Sequence, residues 1–259
     1  MNKKLVYATY TLFLFSLSQS AYANNITYLL AAKEAQLFKT QNRIADMTAN
    51  VNTTAFKSEA DSYSELPKRL SDGKTISFSK ISTTTRKTSQ GGATSTGRQL
   101  DVLIDGPGYF MVDTPRGVRY TRAGNFKIGS EGTLITKEGY PVVGPGGGLV
   151  EFAENDIDVT IRDTGLVTVG VEERGQIGVF IFENEQAMVK EGEGLYRTDE
   201  VPLVTEESKI VQGALEDSNV NSITVMTDLV SVSRKIESTK QLQANYHDLQ
   251  LDMIRKLSK

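Results

Sequence analysis

The chain has 259 residues, 39% apolar and 24% charged, which is enough sequence for one large or two small hydrophobic cores. Its net charge of −3 gives no basic excess, so nucleic acid is not expected as a partner. With no Cys and a single His, the chain has no Cys nucleophile, no disulfide and no zinc site of the Cys/His type.

The first residues have the composition of an export leader. Asn2-Lys3-Lys4 is a short positive stretch, and Leu5 to Leu17 is apolar apart from Thr9, Thr11 and Ser16. Ala21-Tyr22-Ala23 then supplies the small-x-small pattern read by signal peptidases, so residues 1–23 are expected to be removed after Ala23. The apolar run is short for a membrane span, which needs about 20 residues.

Ile26, Leu30, Leu37, Ile44 and Met47 recur at three-, four- and seven-residue steps. This predicts an amphipathic helix with a narrow seam, closer to a coiled coil than to a broad core face. The run Asn50-Val51-Asn52-Thr53-Thr54 ends it, because Asn and Thr side chains compete with the helical backbone for hydrogen bonds. Residues 24–57 therefore form a helix and an Asn/Thr turn.

Residues 58–99 are rich in Ser and Thr and poor in large apolar groups, and they are expected to form a polar extended connector. Isolated β-formers (Ile76, Phe78, Ile81) leave open whether it is a flexible linker or orders on docking. From Leu100 to about Val211 the pattern becomes period two with turn punctuation: Leu100 to Ile104, Asp105-Gly106-Pro107-Gly108, Tyr109 to Val112, Val118 to Arg122, Phe126 to Ile128, Thr133 to Thr136, Ile157 to Ile161 and Gly178 to Phe182. Short strands at this spacing predict an antiparallel, all-β domain over 100–212.

The last segment, 213–259, is dominated by a second helix. Val225, Leu229, Val232, Ile236, Thr239, Leu242, Tyr246, Leu249, Met253 and Leu257 step by three or four, with no Gly or Pro after Ser222. Asn221 or Ser222 is the expected N-cap. The helix would reach roughly 50 Å, too long for a compact domain to cover alone. The expected fold class is α+β: terminal amphipathic helices paired as a coiled coil around a central antiparallel β domain. The expected assembly seam is Leu30, Leu37, Ile44, Met47, Val225, Leu229, Val232, Ile236, Leu242, Tyr246, Leu249 and Met253.

No chemistry-bearing constellation emerges. Gly144 to Gly148 lacks the Lys-Ser/Thr and following helix that a phosphate loop needs, and it reads as a turn. Glu154, Asp156, Asp158 and Asp163 lack EF-hand order and read as a solvated edge. His247 lies one step past Tyr246, with no nucleophile motif near it. The chain is not expected to be an enzyme, and no cofactor, metal or small-molecule substrate is expected.

Ala49-Asn50-Val51-Asn52-Thr53-Thr54-Ala55-Phe56-Lys57 resembles the signature after the first helix of flagellar rod/hook axial proteins. Leu100 through Phe110 resembles their central strand-turn-strand. Tyr120-Thr121-Arg122-Ala123-Gly124-Asn125-Phe126 resembles their next motif, and Gly132-Thr133-Leu134 through Gly139-Tyr140-Pro141-Val142 continues it. Gly213-Ala214-Leu215-Glu216-Asp217-Ser218-Asn219-Val220-Asn221 is similar to the stretch before the last helix. Four ordered motifs at family spacing identify the chain with flagellar basal-body rod proteins, most like the proximal-rod type. The resemblance marks Asn50, Asn52, Thr53, Thr54, Phe56, Ser218, Asn219 and Asn221 as motif residues. Two departures stand out: Ala55 replaces a usual Gly, and Asp46-Met47 replaces a usual Asn pair.

The resemblance implies a structural subunit of the bacterial flagellum, located in the periplasmic rod. It would polymerise with itself and other rod subunits into a hollow drive shaft for motility, inside the basal-body rings. The leader is a further departure, since rod subunits of this family normally leave uncleaved through the flagellum's own channel. Alternative readings are a distal-rod or hook-type axial protein, or a secreted β-rich binding module on a coiled-coil stalk.

Overall fold

The computed structural model describes residues 3–69, 75–154, 156, 158–205 and 207–258, with side chains from residue 26 onward except 66 and 68–79. The side chains of the leader, Ile76 and Phe78, and the whole of Ile157, lie outside the described residues. Two helices bracket the strands: α1 (Lys3–Ala49) and α2 (Ser222–Leu257). Their inner ends fall where the sequence places them, at the Asn/Thr turn and at Ser222. Among the described residues no helix is long and apolar enough to cross a membrane.

The chain divides into two compact units. The first comprises residues 1–46, 63–82 and 223–259, which hold nearly all of both helices. Leu30, Leu37, Thr40 and Ile44 are buried along α1, and Val225, Val232 and Ile236 along α2. Gln41 Nε2 donates to Ser233 Oγ at 3.4 Å, and Lys240 Nζ stands 5.5 Å from the Phe38 ring centroid.

The second unit comprises residues 47–62 and 83–222 and contains an antiparallel β structure. Strands β1 (Glu59–Arg69) and β2 (Thr75–Arg86), most of whose residues belong to the first unit, pair with each other, so the expected polar connector contains a two-stranded sheet. β3 (Ala93–Ser95) pairs with Ala214–Glu216, and β4 (Val102–Asp105) with Lys209–Gln212. β5 (Phe110–Thr114) and β6 (Gly117–Thr121) form a hairpin inside a five-stranded sheet, completed by Val142–Val143, Leu195–Arg197 and Val189–Glu191. A three-stranded sheet holds 159–161, 166–169 and 172–176.

Alternation builds the core of this unit. Phe110, Val112 and Thr114 of β5 point inward, as a pleated strand requires. Phe110 and Val112 join Val102, Ile104, Phe126, Leu134, Val142, Val150 and Ile177 in one buried cluster. The Phe110 and Phe126 rings meet edge-on at 5.1 Å, a favoured aromatic geometry. A second cluster gathers Tyr109, Tyr120, Phe180, Phe182, Met188 and Tyr196. Gly124 is required by close approach, because a Cβ there would lie 1.8 Å from Val102 O.

Gly144 to Gly148 is a turn, closed by Gly144 N–H to Gly148 O at 2.8 Å. Glu154, Asp158 and Asp163 are exposed, as a solvated edge would be, whereas Asp156 is half-buried, accepts an NH2 of Arg174 at 2.8 Å and lies 2.7 Å from its Nε in an ion pair. Arg174 comes from a neighbouring strand and supplies a charge partner that spacing alone does not reveal. His247 is exposed on α2.

Candidate assembly site

The four sequence motifs meet around the carboxylate of Glu216, all within the β unit. Oε1 accepts Lys57 Nζ at 2.5 Å and the Gly91 backbone N–H at 3.0 Å. Oε2 accepts Arg122 Nε at 2.8 Å. Lys57, Arg122 and Glu216 are each at most 5% exposed. The other Arg122 nitrogens donate to the carbonyls of Gly108, Ile104 and Gly106, so the guanidinium closes the turn after β4. Lys57 Nζ also donates to Ser89 O at 2.9 Å. Nearly all the polar capacity of the cluster is used, which is the condition for tolerating buried charge.

Two cations share one carboxylate, and the titration of both partners follows from that. Burial alone would raise Glu216. The Arg122 charge, the Lys57 hydrogen bond and the Gly91 N–H outweigh it and hold the carboxyl below its ordinary range. Burial pushes Lys57 below the usual lysine value despite the opposing pull of Glu216, with Arg122 adding to the shift.

Backbone contacts knit the same region. Ala55 N–H donates to Glu216 O at 2.8 Å, and Asn219 N–H to Phe56 O at 3.1 Å. The Asn219 amide accepts Ser58 N–H at 2.7 Å and donates to Lys87 O and Ser89 O. The segment after α1 and the segment before α2 are thus tied together directly. Ala55 takes φ +56°, so the left-handed conformation the turn needs is adopted without a glycine. Gly91 packs flat on this junction, where a Cβ would lie 2.0 Å from Asp217 O.

The expected motif residues fall at this junction in different ways. Phe56 is buried and carries Lys190 Nζ 4.2 Å from its ring centroid. Asn50 Oδ1 accepts Thr53 Oγ1 at 3.1 Å, and Ser218 Oγ accepts Val220 N–H at 3.3 Å. Asn52 and Asn221 are exposed and Thr54 is half-buried. Lys57, Arg122 and Glu216 were not expected as site residues, although each lies inside a quoted motif.

The expected seam divides into three groups. Leu30, Leu37, Ile44, Met47, Val225, Val232 and Ile236 are buried. Leu229 and Tyr246 are half-buried. Leu242, Leu249 and Met253 are each more than half exposed. The protected positions along α2 are 225, 229, 231, 232, 236, 239, 243, 246 and 250, a four-three alternation with Ser231 added beside Val232.

Residues 103–179 match the family described as "Flagellar hook protein FlgE/F/G D1 domain", and residues 211–249 match "Flagellar basal body rod FlgEFG protein C-terminal". The flagellar basal-body rod protein FlgF of Caulobacter vibrioides is 32% identical over 242 residues, covering 91% of this chain and 99% of that protein. The chain belongs to the flagellar basal-body rod proteins, FlgF type. FlgF of Mesorhizobium japonicum is 29% identical, covering 83% of this chain and 90% of that protein, and FlgG of Bacillus subtilis is 30% identical, covering 77% and 86%. A FlgF-type rod protein is a structural subunit of the basal body.

Proposed function

We propose that this rod subunit polymerises through its terminal helices into the proximal segment of a hollow drive shaft that transmits torque for motility. The observation that carries this reading is the four-three pattern of protected positions on α2, with Leu30, Leu37 and Ile44 protected at seven-residue steps on α1. That is the pattern of a coiled-coil seam. The contacts from Gln41 to Ser233 and from Lys240 to Phe38 support pairing of the helices. Leu242, Leu249 and Met253 remain exposed for neighbouring subunits, and contacts that do not close produce an open helical tube.

The β unit would form the outer layer, facing the basal-body rings. Its role is mechanical, with no chemistry on a small-molecule substrate. Delivery begins with cleavage of the leader after Ala23 into the periplasm.

Peptide mass spectrometry of purified basal bodies tests this reading. The expected result is this chain, with an N-terminal peptide beginning at Asn24. Basal bodies that form without the chain contradict the rod assignment. A chain retaining Lys3 and Lys4 contradicts the cleavage.

A further inference from the structure

Charge is distributed unevenly between the two units. The helical unit contains 15 Lys and Arg against 8 Asp and Glu, and the β unit contains 14 against 24. Removing Lys3 and Lys4 with the leader leaves the helical unit positive. Each unit also presents one apolar surface edged by its own sign of charge.

On the helical unit, α1 and α2 line a groove of about 790 Å³. Leu37, Met226 and Val230 supply its apolar floor, and Lys33, Arg234 and Lys235 its rim. Glu34, Asp228 and Glu237 lie on the same helices, but none of them lines the groove. On the β unit, the segment Asp199-Glu200-Val201-Pro202-Leu203-Val204 exposes Val201 at 80%, Leu203 at 50% and Val204 at 53%. No Lys or Arg occurs from Thr198 to Ser208. Asp199 is exposed, with only a loose 3.4 Å contact to Arg197, and Glu200 accepts Asn184 N–H at 3.3 Å. Leu203–Val204 pairs with Phe180–Ile181 in a two-stranded sheet, so the segment is held as an edge.

We propose that the Asp199–Val204 edge of one copy docks in the α1–α2 groove of a second copy. The inference rests on the polymerising-subunit reading and names the partner surface. Val201 and Leu203 leave water against Leu37, Met226 and Val230, while Asp199 and Glu200 meet Lys33, Arg234 and Lys235. Because the two surfaces are different parts of the chain, the contact is heterologous and propagates from copy to copy. Opposite charge around an apolar centre fixes register and speeds encounter.

Because the chain has no Cys, a disulfide can report the contact without background. Two tagged copies are produced together in the source cell, one carrying Val201→Cys and the other Val230→Cys, and basal bodies are purified. The mixed 201–230 disulfide should form in preference to 201–201, since bridging requires Cα atoms within about 7 Å. Glu200→Lys should abolish the mixed link, and Lys235→Glu on the other copy should restore it. Basal bodies that contain the chain without the mixed link overturn the docking and leave the rod reading intact. Basal bodies that lack the chain overturn both.

Discussion

Lys57 and Glu216 are 159 residues apart in sequence and share a buried hydrogen bond of 2.5 Å. One belongs to the segment that leaves α1 and the other to the segment that enters α2. Arg122 approaches the same carboxylate from the end of β6, so a single side chain joins both ends of the chain to the strands between them.

Replacing Glu216 with Gln keeps the size of the side chain and removes its charge. Lys57 and Arg122 would then be buried without a counter-ion, and breaking a buried pair in this way costs about 3–5 kcal/mol. Chemical denaturation should show a loss of unfolding free energy of that size for the β unit, read as a lower midpoint at unchanged slope. An unchanged midpoint would mean that the cations find other partners.

Acid should act through the same group. The folded Glu216 carboxyl is held below its ordinary range, so its contribution is complete above the unfolded value of about 4.3. The contribution is lost as pH falls through the lower, folded value. Lys57 does not produce a matching loss on the acid side, because its own shift is downward from a far higher value. Thermal melts across the acid range should show a drop that Glu216→Gln removes. An equal drop in the variant assigns acid lability to other carboxylates.

Ala55 at φ +56° occupies a conformation that costs an L-residue roughly 1–2 kcal/mol. A branched side chain is worse there, so Ala55→Val should destabilise by about 2 kcal/mol or more. Ala55→Gly relieves strain but frees the unfolded chain by about 0.4–1 kcal/mol, so it should stay near the parent. Comparable stability of the Val and Gly variants would show that the left-handed turn is not the native one.

The helices allow folding to be separated from assembly. Ile236→Asp places a charge at a buried position and should weaken both. Leu249 is 62% exposed, so Leu249→Asp should leave the melting temperature of the isolated chain unchanged while motility is lost. Normal swimming by the Leu249 variant would remove that position from the assembly surface.

Much of this architecture was legible in the sequence. The inner ends of both helices follow from the Asn50–Thr54 run and from Asn221-Ser222, where side chains compete with helical hydrogen bonds. The strands from Val102 onward follow from alternation. The pairing of β1 with β2 was not legible, because Ser- and Thr-rich strands present no apolar face to count. On α2 the expected stripe takes Leu242 and Leu249, whereas the protected positions either side of the expected Tyr246 are Gln243 and Gln250. Following apolar residues rather than a fixed 3.5-residue period moved the stripe by one position. The Glu216 junction was hidden because its three charges are scattered over the chain, and nothing local in the sequence shows which charges meet.

Electron cryotomography of source cells lacking this chain tests its role as a rod subunit most directly. The account predicts basal bodies whose rod stops short near the inner-membrane ring, with no hook, and restoration of both by the intact chain. Complete rods with hooks in its absence would contradict it.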